Sequence, residues 1–392
     1  MIELKGNYLL KLDFGSTDAN INFGNIKEFT IIQELDKFLP SFRIKLIDSE
    51  GLATHINPFD KGMSRVSVQF GSSSAGGEYN GMDFLVYRRH PAAYFTTSVE
   101  FDMVGLLEAE GLLAPNYSRS FGSIADAISQ VAEDMKIDTV ESTAGGTTTE
   151  AAILQPNWTN AQLINWLKQN LGDEDNTAFK CFVKVVDGKK VLVFKSIQDL
   201  VGGGVRYNFI VNDSAVQDYF PVFDYQVIDN YKIYGTFGGR VKPYQYYDYT
   251  AGEFITSEVG LDNFNSLSDY FAIDSNDSEE SESPFFGRNN DFTEEFVGRA
   301  QSGYHSRIAG LVKMWILTWG LPNVAPGDVI RLLFGQGVAT GQLFSYQYSG
   351  YWLVERVVHI FGETHRTRLL LTRNGLDTDK GTTLVPASRR KR

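Results

Sequence analysis

RVSVQFG (65–71), YNGMDFLVYRRH (79–90) and SVEFDMVG (98–105) follow one another near the N-terminus. Near the C-terminus VIRLLFG (329–335), YSGYWLVERVVH (348–359) and RTRLLLTR (366–373) do the same. Each set reads as a strand, a Gly-containing turn, Tyr-x-Gly, an aromatic followed by Leu-Val, a break, and a further strand. The echo predicts two related β-modules bracketing unrelated material. The match slips by one residue: Tyr-x-Gly aligns at one offset, and Phe84-Leu85-Val86 with Trp352-Leu353-Val354 at the next. A one-residue β-bulge is the expected reconciliation, because it inserts a residue into one strand without ending the pairing.

At 392 residues the chain exceeds what one hydrophobic core serves, so several packed units are expected. Its 19 Tyr and 28 Phe favour strands over helical bundles. A net charge of −12 argues against a general nucleic-acid-binding surface, which needs a Lys/Arg excess to displace counterions. The single cysteine, Cys181, excludes an intrachain disulfide and any multi-cysteine zinc site, which suits a reducing cytoplasm. The N-terminus lacks the charged-then-apolar pattern of a signal peptide. No run of about 18 apolar residues is present, so neither secretion nor a membrane anchor is expected.

Along the chain, residues 1–112 alternate apolar and polar positions in short runs such as FTIIQEL and SFRIKLID, broken by Asn57-Pro58 and a Gly/Ser-rich stretch at 71–77. This reads as a first antiparallel β-barrel or sandwich. Residues 113–203 form a small α+β unit, after a change of character at Ala114-Pro115. There Ser123 caps a helix carrying Ile124, Ile128, Val131 and Met135 at helical spacing. Thr159 and Gln162 form a second capping pair, with Trp158 placed to staple onto Leu163. Trp158 and Trp166 are assigned to core packing, and Asp187-Gly188 joins two strands as a hairpin.

Residues 204–242 begin the second β-module and 311–376 complete it, with an acidic insertion and helix between them at 243–310. Between Lys242 and Arg288 there are ten acidic residues and no basic one. This stretch opens on Tyr244, Tyr246, Tyr247 and Tyr249 and ends in DSNDSEESESP, a weakly ordered composition. Asp291 to Glu294 predicts a capped helix to about Ser302. Residues 377–392 are a basic tail. The fold class is thus β-rich α+β: two β-modules, a small α+β domain between them, and an acidic insertion in the second module.

Enzymatic chemistry is thin. The histidines His55, His90, His305, His359 and His365 show no metal-ligand spacing, and no G-x-S-x-G elbow is present. His359 and His365 flank the turn FGET, in turn or strand-end roles. Cys181, between Phe179 and Phe182, reads as a buried inert thiol. Gly202-Gly203-Gly204 lacks the Lys-Ser/Thr of a phosphate loop and reads as a hinge between modules. No catalytic, cofactor-binding or metal-binding residue is named. Sequence does not give the spatial separation by which a glycosidase carboxylate pair is recognised.

Three pieces, in this order, resemble a known family: NWTNAQLINWLKQNL (157–171), APGD (325–328), and WLVERVVH (352–359) with TRLLLT (367–372). The chain is similar to the baseplate hub proteins of contractile-tailed bacteriophages, whose hub portion is shared with type VI secretion spike proteins. The resemblance implies that both β-modules are tube-like barrels and that three chains form a ring of six similar lobes. Such a ring adapts a sixfold tail tube to a threefold central spike and leaves a channel for DNA, which passes without specific binding. Implied partners are two further copies of the chain, the spike and tube proteins, and the baseplate wedge and tape-measure proteins. The implied location is the virion tail baseplate, assembled in the host cytoplasm. No needle or lysozyme-like segment follows the last strand, so puncturing is expected of a separate partner, and the protein is expected not to be an enzyme. The acidic insertion faces either the channel, where it repels phosphate, or the exterior. The alternative reading, from another class, is a glycan-binding or glycan-cleaving β-rich surface protein.

Overall fold

Alternation decides the strands. In SFRIKLID, Phe42, Ile44, Leu46 and Asp48 are buried and Arg43 is exposed; in VKMWILTW, Val312, Met314, Ile316 and Thr318 are buried. A period of two puts alternate side chains on one face of a pleated strand, so each strand turns one face to a core. The structure, a computed structural model, describes residues 2–5, 8–13, 25–48, 65–72, 78–95, 98–112, 117–143, 153–170, 178–211, 218–229, 243–248, 252–258, 285–286, 310, 312–334 and 348–373.

The first section holds β1 (Ile2–Lys5), β2 (Tyr8–Asp13), β3 (Ile26–Glu34), β4 (Ser41–Asp48), β5 (Arg65–Ser72), β6 (Glu78–Tyr94) and β7 (Val99–Leu107). The middle section holds β8 (Tyr117–Phe121), α1 (Ile124–Asp134), β9 (Thr139–Ser142), β10 (Ile153–Trp158), α2 (Asn160–Asn170), β11 (Phe179–Val186), β12 (Lys189–Ser196) and α3 (Ile197–Val201). The last section holds β13 (Val205–Val211), β14 (Phe220–Val222), β15 (Asp224–Asp229), β16 (Pro243–Asp248), β17 (Glu253–Glu258), β18 (Phe285–Phe286), β19 (Val312–Trp319), β20 (Val329–Phe334), β21 (Gly350–Phe361) and β22 (His365–Arg373).

A single 14-stranded sheet contains both outer sections. The first runs β1-β2-β5-β6-β7-β4-β3, and the last runs β14-β13-β20-β21-β22-β19-β15. From β5 and β20 onward the two orders match strand for strand. They differ before that point, since β2 pairs antiparallel with β5 whereas β13 pairs parallel with β20. The two runs meet where β3 pairs antiparallel with β21.

The bulge expected from the echo exists, but elsewhere. β5 and β6 pair without a shift from Ser72↔Glu78 to Arg65↔Leu85, and β20 and β21 from Leu332↔Gly350 to Val329↔Leu353. The one-residue slip in Tyr-x-Gly therefore has no bulge beneath it: Gly81 faces Gln69, while Gly350 comes one rung earlier and faces Leu332. The shift falls just after the aromatic-Leu-Val in both sections, between Val86 and Arg88 against β7 and between Val354 and Arg356 against β22. Tyr87 and Glu355 are thus equivalent bulged residues. They re-aim the second half of each long strand.

In the middle section Asp126 N–H donates to Ser123 Oγ at 3.1 Å, and Thr159 and Gln162 bond each other reciprocally at 2.9 and 3.2 Å. Both caps follow their sequence signatures. The β11–β12 hairpin turns at Asp187 and Gly188, whose positive φ values of 52° and 73° suit a tight primed turn. Trp158 and Trp166 do pack together, at 6.0 Å, but Trp166 stays 37% exposed, so the pair lies at the surface rather than in the core. Leu163 and Leu167 fill the core side of α2 instead.

Of the insertion, β16, β17 and β18 form a separate three-stranded sheet that includes Tyr244, Tyr246 and Tyr247. The acidic run at 274–282, Tyr249, the helix expected from Asp291 and the basic tail at 377–392 lie outside the described residues, as do Asn57-Pro58 and Ala114-Pro115.

Candidate functional site

Among the described residues no group of three or more His, Cys, Asp or Glu side chains could hold a metal ion, and no helix is long and apolar enough to cross a membrane. Cys181 is buried in β11, and burial pushes its thiol up to about 12, far from the range of a reactive thiolate. The feature that brings the three sections together is the joint at which the two sheet runs and the middle section meet.

Along the joint, β3 and β21 pair from Glu34↔Arg356 to Phe29↔Phe361, extended by Leu35 N–H donating to Glu355 O at 2.9 Å. On the outer face Arg356 and Glu34 form an ion pair at 2.8 Å across the seam. On the inner face Phe29 stacks on Phe361 at 4.9 Å, and Phe70 from β5 packs on Phe361 at 5.2 Å and on His359 at 5.0 Å. Burying large aromatic surface in offset and edge contacts is a strong non-directional adhesive, and the backbone ladder supplies the direction.

One side chain of the first section ties the middle and last sections to it. Asn80, fully buried in β6, donates to Val185 O at 2.8 Å and Pro322 O at 2.9 Å, and its oxygen accepts from Gly81 N–H at 2.9 Å and Gly188 N–H at 3.0 Å. Asn323 completes the clamp, donating to Asp187 Oδ1 at 2.6 Å and accepting from Asp187 N–H at 3.1 Å. The Asp187-Gly188 hairpin tip is thereby held between the first and last sections.

Alongside lies a core drawn from all three sections: Leu35; Phe182, Val193, Ile197, Leu200 and Val201; Val329 and Leu353. The Ala-Pro-Gly-Asp motif belongs to this core. Asp328 Oδ2 accepts Ala325 N–H at 2.9 Å and closes the turn, and Arg206 lies 3.2 Å from its Oδ1. Gly327 has φ +85° and sits against Leu200 and Phe182, where a side chain would be both strained and crowded. Burial raises the Asp328 carboxyl, against the pull of Arg206, in a role that is structural.

The histidines flanking FGET are a buried pair, His359 Nδ1 and His365 Nε2 standing 3.2 Å apart, so one neutral ring donates to the other. Desolvation pushes His359 down to about 3, and burial and its neighbour hold His365 well below the usual histidine range. Histidines of the unfolded chain titrate near ~6.5. Below that pH the unfolded chain binds protons the folded pair refuses, so the pair's stability is fully present above about pH 6.5 and lost as pH falls toward about 3. We expect a loss of about 1.4 kcal/mol per pH unit from His359 over that window, with His365 adding in the same direction. Denaturant midpoints taken between about pH 7 and pH 4.5 check this, with a shallower fall in His359→Gln.

No family model matches the sequence, and no curated protein matches it. Comparison of the structure with solved ones finds relatives that span nearly the whole chain. The 43 kDa tail protein of prophage MuSo2 from Shewanella oneidensis superposes with a TM-score of 0.59 at 13% identity, covering 95% of this chain and 99% of that one. A tail protein from Neisseria meningitidis gives 0.55 at 11% identity, covering 95% and 98%. The E. coli c3393 protein, a component of the type VI secretion system with structural similarity to T4 bacteriophage tail proteins gp27 and gp5, gives 0.51 at 9% identity, covering 94% and 77%. The chain thus has the β-rich fold of phage tail proteins.

Proposed function

We propose that this protein is a structural hub of a phage tail baseplate. It forms a trimeric ring that adapts a sixfold tail tube to a threefold spike and leaves a channel for DNA. The observation that carries this reading is the repeated strand order, β5-β6-β7-β4-β3 against β20-β21-β22-β19-β15, with the two runs joined edge to edge inside one chain. A duplicated module lets three chains present six similar lobes, which is what docking to a hexameric tube requires. The two outer sections act as tube-like barrels and the clamped middle section as a spacer at their joint. Chemistry plays no part: the protein binds spike, tube, wedge and tape-measure proteins in the virion tail after assembly in the host cytoplasm. The acidic insertion keeps the channel or the outer wall negative. Electron microscopy of the purified protein at high concentration tests the proposal. Closed threefold rings with six inner lobes are expected. Particles that stay monomeric when mixed with the spike and tube proteins overturn it.

A further inference from the structure

The joint inside the chain has two unfinished halves at the ends of the sheet. β15 stands in the last section where β3 stands in the first, and β6 stands in the first where β21 stands in the last. Counting outward from the shared bulge gives the register. Arg88 and Arg356 face Val104 and Leu370; these face Arg43 and Trp315, which face Thr30 and Gln226. Tyr225 is therefore the counterpart of Phe29. On the long strands Tyr94, opposite Val99, is the counterpart of Phe361, opposite His365.

Burial shows what these counterparts lack. Among the described strands β15 pairs with β19 alone, and β5 covers β6 only as far as Leu85. Phe29 is 0% exposed at the joint, whereas Tyr225 is 38% exposed at the edge. His359 is buried and its counterpart Pro91 is exposed. Tyr225 already holds Phe334 at 5.3 Å, and Phe334 is the counterpart of Phe70, which packs on Phe361 across the internal joint. Among the described residues, the Tyr225–Phe334 pair thus has no counterpart of Phe361 beside it.

We propose that a second copy of this chain supplies it. The β6 strand of one copy, from His90 to Tyr94, adds antiparallel to β15 of the next, in the register that puts position 94 opposite position 225 as 361 is opposite 29. This inference rests on the ring reading and names its contact. Two differences separate the contacts: β6 carries a further one-residue bulge between Pro91 and Ala93 that β21 lacks, and composition adds another. The Leu35–Glu355 bond fixes the ladder so that His359 turns its backbone to β3. Pro91 has no N–H to offer there, so the contact between copies forms with one donor fewer than the internal joint.

Cysteine pairing tests the register. Thr30 and Ile360 form a non-hydrogen-bonded pair, the kind whose Cα atoms lie about 4.5 Å apart; their counterparts are Gln226 and Ala93. Mixing Ala93→Cys with Gln226→Cys at high concentration and oxidising is expected to give a covalent dimer. Ala93→Cys with Ile228→Cys, two residues out of register, is expected to give roughly tenfold less, because a disulfide needs Cα atoms within about 7 Å. Cys181 is buried and does not compete. Tyr225→Arg, at an exposed position, is expected to abolish association by light scattering with unchanged circular dichroism. A trimer that forms without register-specific crosslinking overturns this contact and leaves the ring standing. A chain that stays monomeric when mixed with the spike and tube proteins, with no crosslink, overturns both.

Discussion

Replacing Asn80 with alanine is expected to destabilise the protein by about 3–6 kcal/mol, a large share of what holds a domain folded. The truncated side chain leaves Val185 O and Pro322 O without the bonds Asn80 makes to them in a buried site, and Gly81 N–H and Gly188 N–H without theirs at its partly exposed rim. Each buried polar group left unmade costs about 1–3 kcal/mol, more than a bond contributes when formed. Three of the four lost bonds cross between sections of the chain, so the expected result is loss of cooperativity as well as a lower denaturant midpoint. Asn80→Asp discriminates between volume and bonding: it keeps the shape but turns a carboxylate toward two carbonyl oxygens, and is expected to be at least as damaging as alanine. Asn80→Ala within about 1 kcal/mol of the native chain would show that the three sections are held by apolar packing alone.

Gly105→Ala is the second large effect, about 3 kcal/mol or more of destabilisation. Gly105 lies on β7 where a methyl group would overlap the ring of Phe42 and come within 2.8 Å of Leu85 O. Phe42 has no room to yield, since it packs edge-on against Phe84 at 5.0 Å and against Phe29 at 6.2 Å. The main-chain oxygen cannot move without shifting β6. Combining Gly105→Ala with Phe42→Leu is expected to recover part of the loss, because the two changes share one volume and are therefore not additive. Equal losses with and without the Phe42 change would place the strain at the backbone instead.

These residues show how unevenly the sequence is legible. The caps at Ser123 and Thr159, the Asp187-Gly188 turn and the alternation in β4 and β19 were all readable, because each depends on residues within a few positions of one another. The paired outer sections were visible for the same reason, since a repeated local pattern survives wherever the chain puts it. Asn80 was not readable as a clamp. Its partners lie 105 and 242 residues away, and nothing in Tyr-Asn-Gly distinguishes it from the Tyr-Ser-Gly of the other section. Ser349 there makes a local bond, accepting Phe334 N–H at 3.1 Å.

His359 and His365 were legible as neighbours of a turn but not as a buried pair, because their surroundings come from Phe70 on β5. The seam between β3 and β21 was likewise invisible: the echo gives two related modules but not the edge at which they join. By itself the sequence determined the alternating main strands of the outer sections, two helix caps and one hairpin turn, and that one strand pattern occurs twice. Only the tertiary structure decided that the two copies share a seam, which side chain locks it, and which strand edges remain to be covered. Hydrophobic periodicity and capping act over a few residues, whereas strand edges meet by backbone hydrogen bonds that every residue but proline offers alike, so register and partner are set by packing across the whole chain.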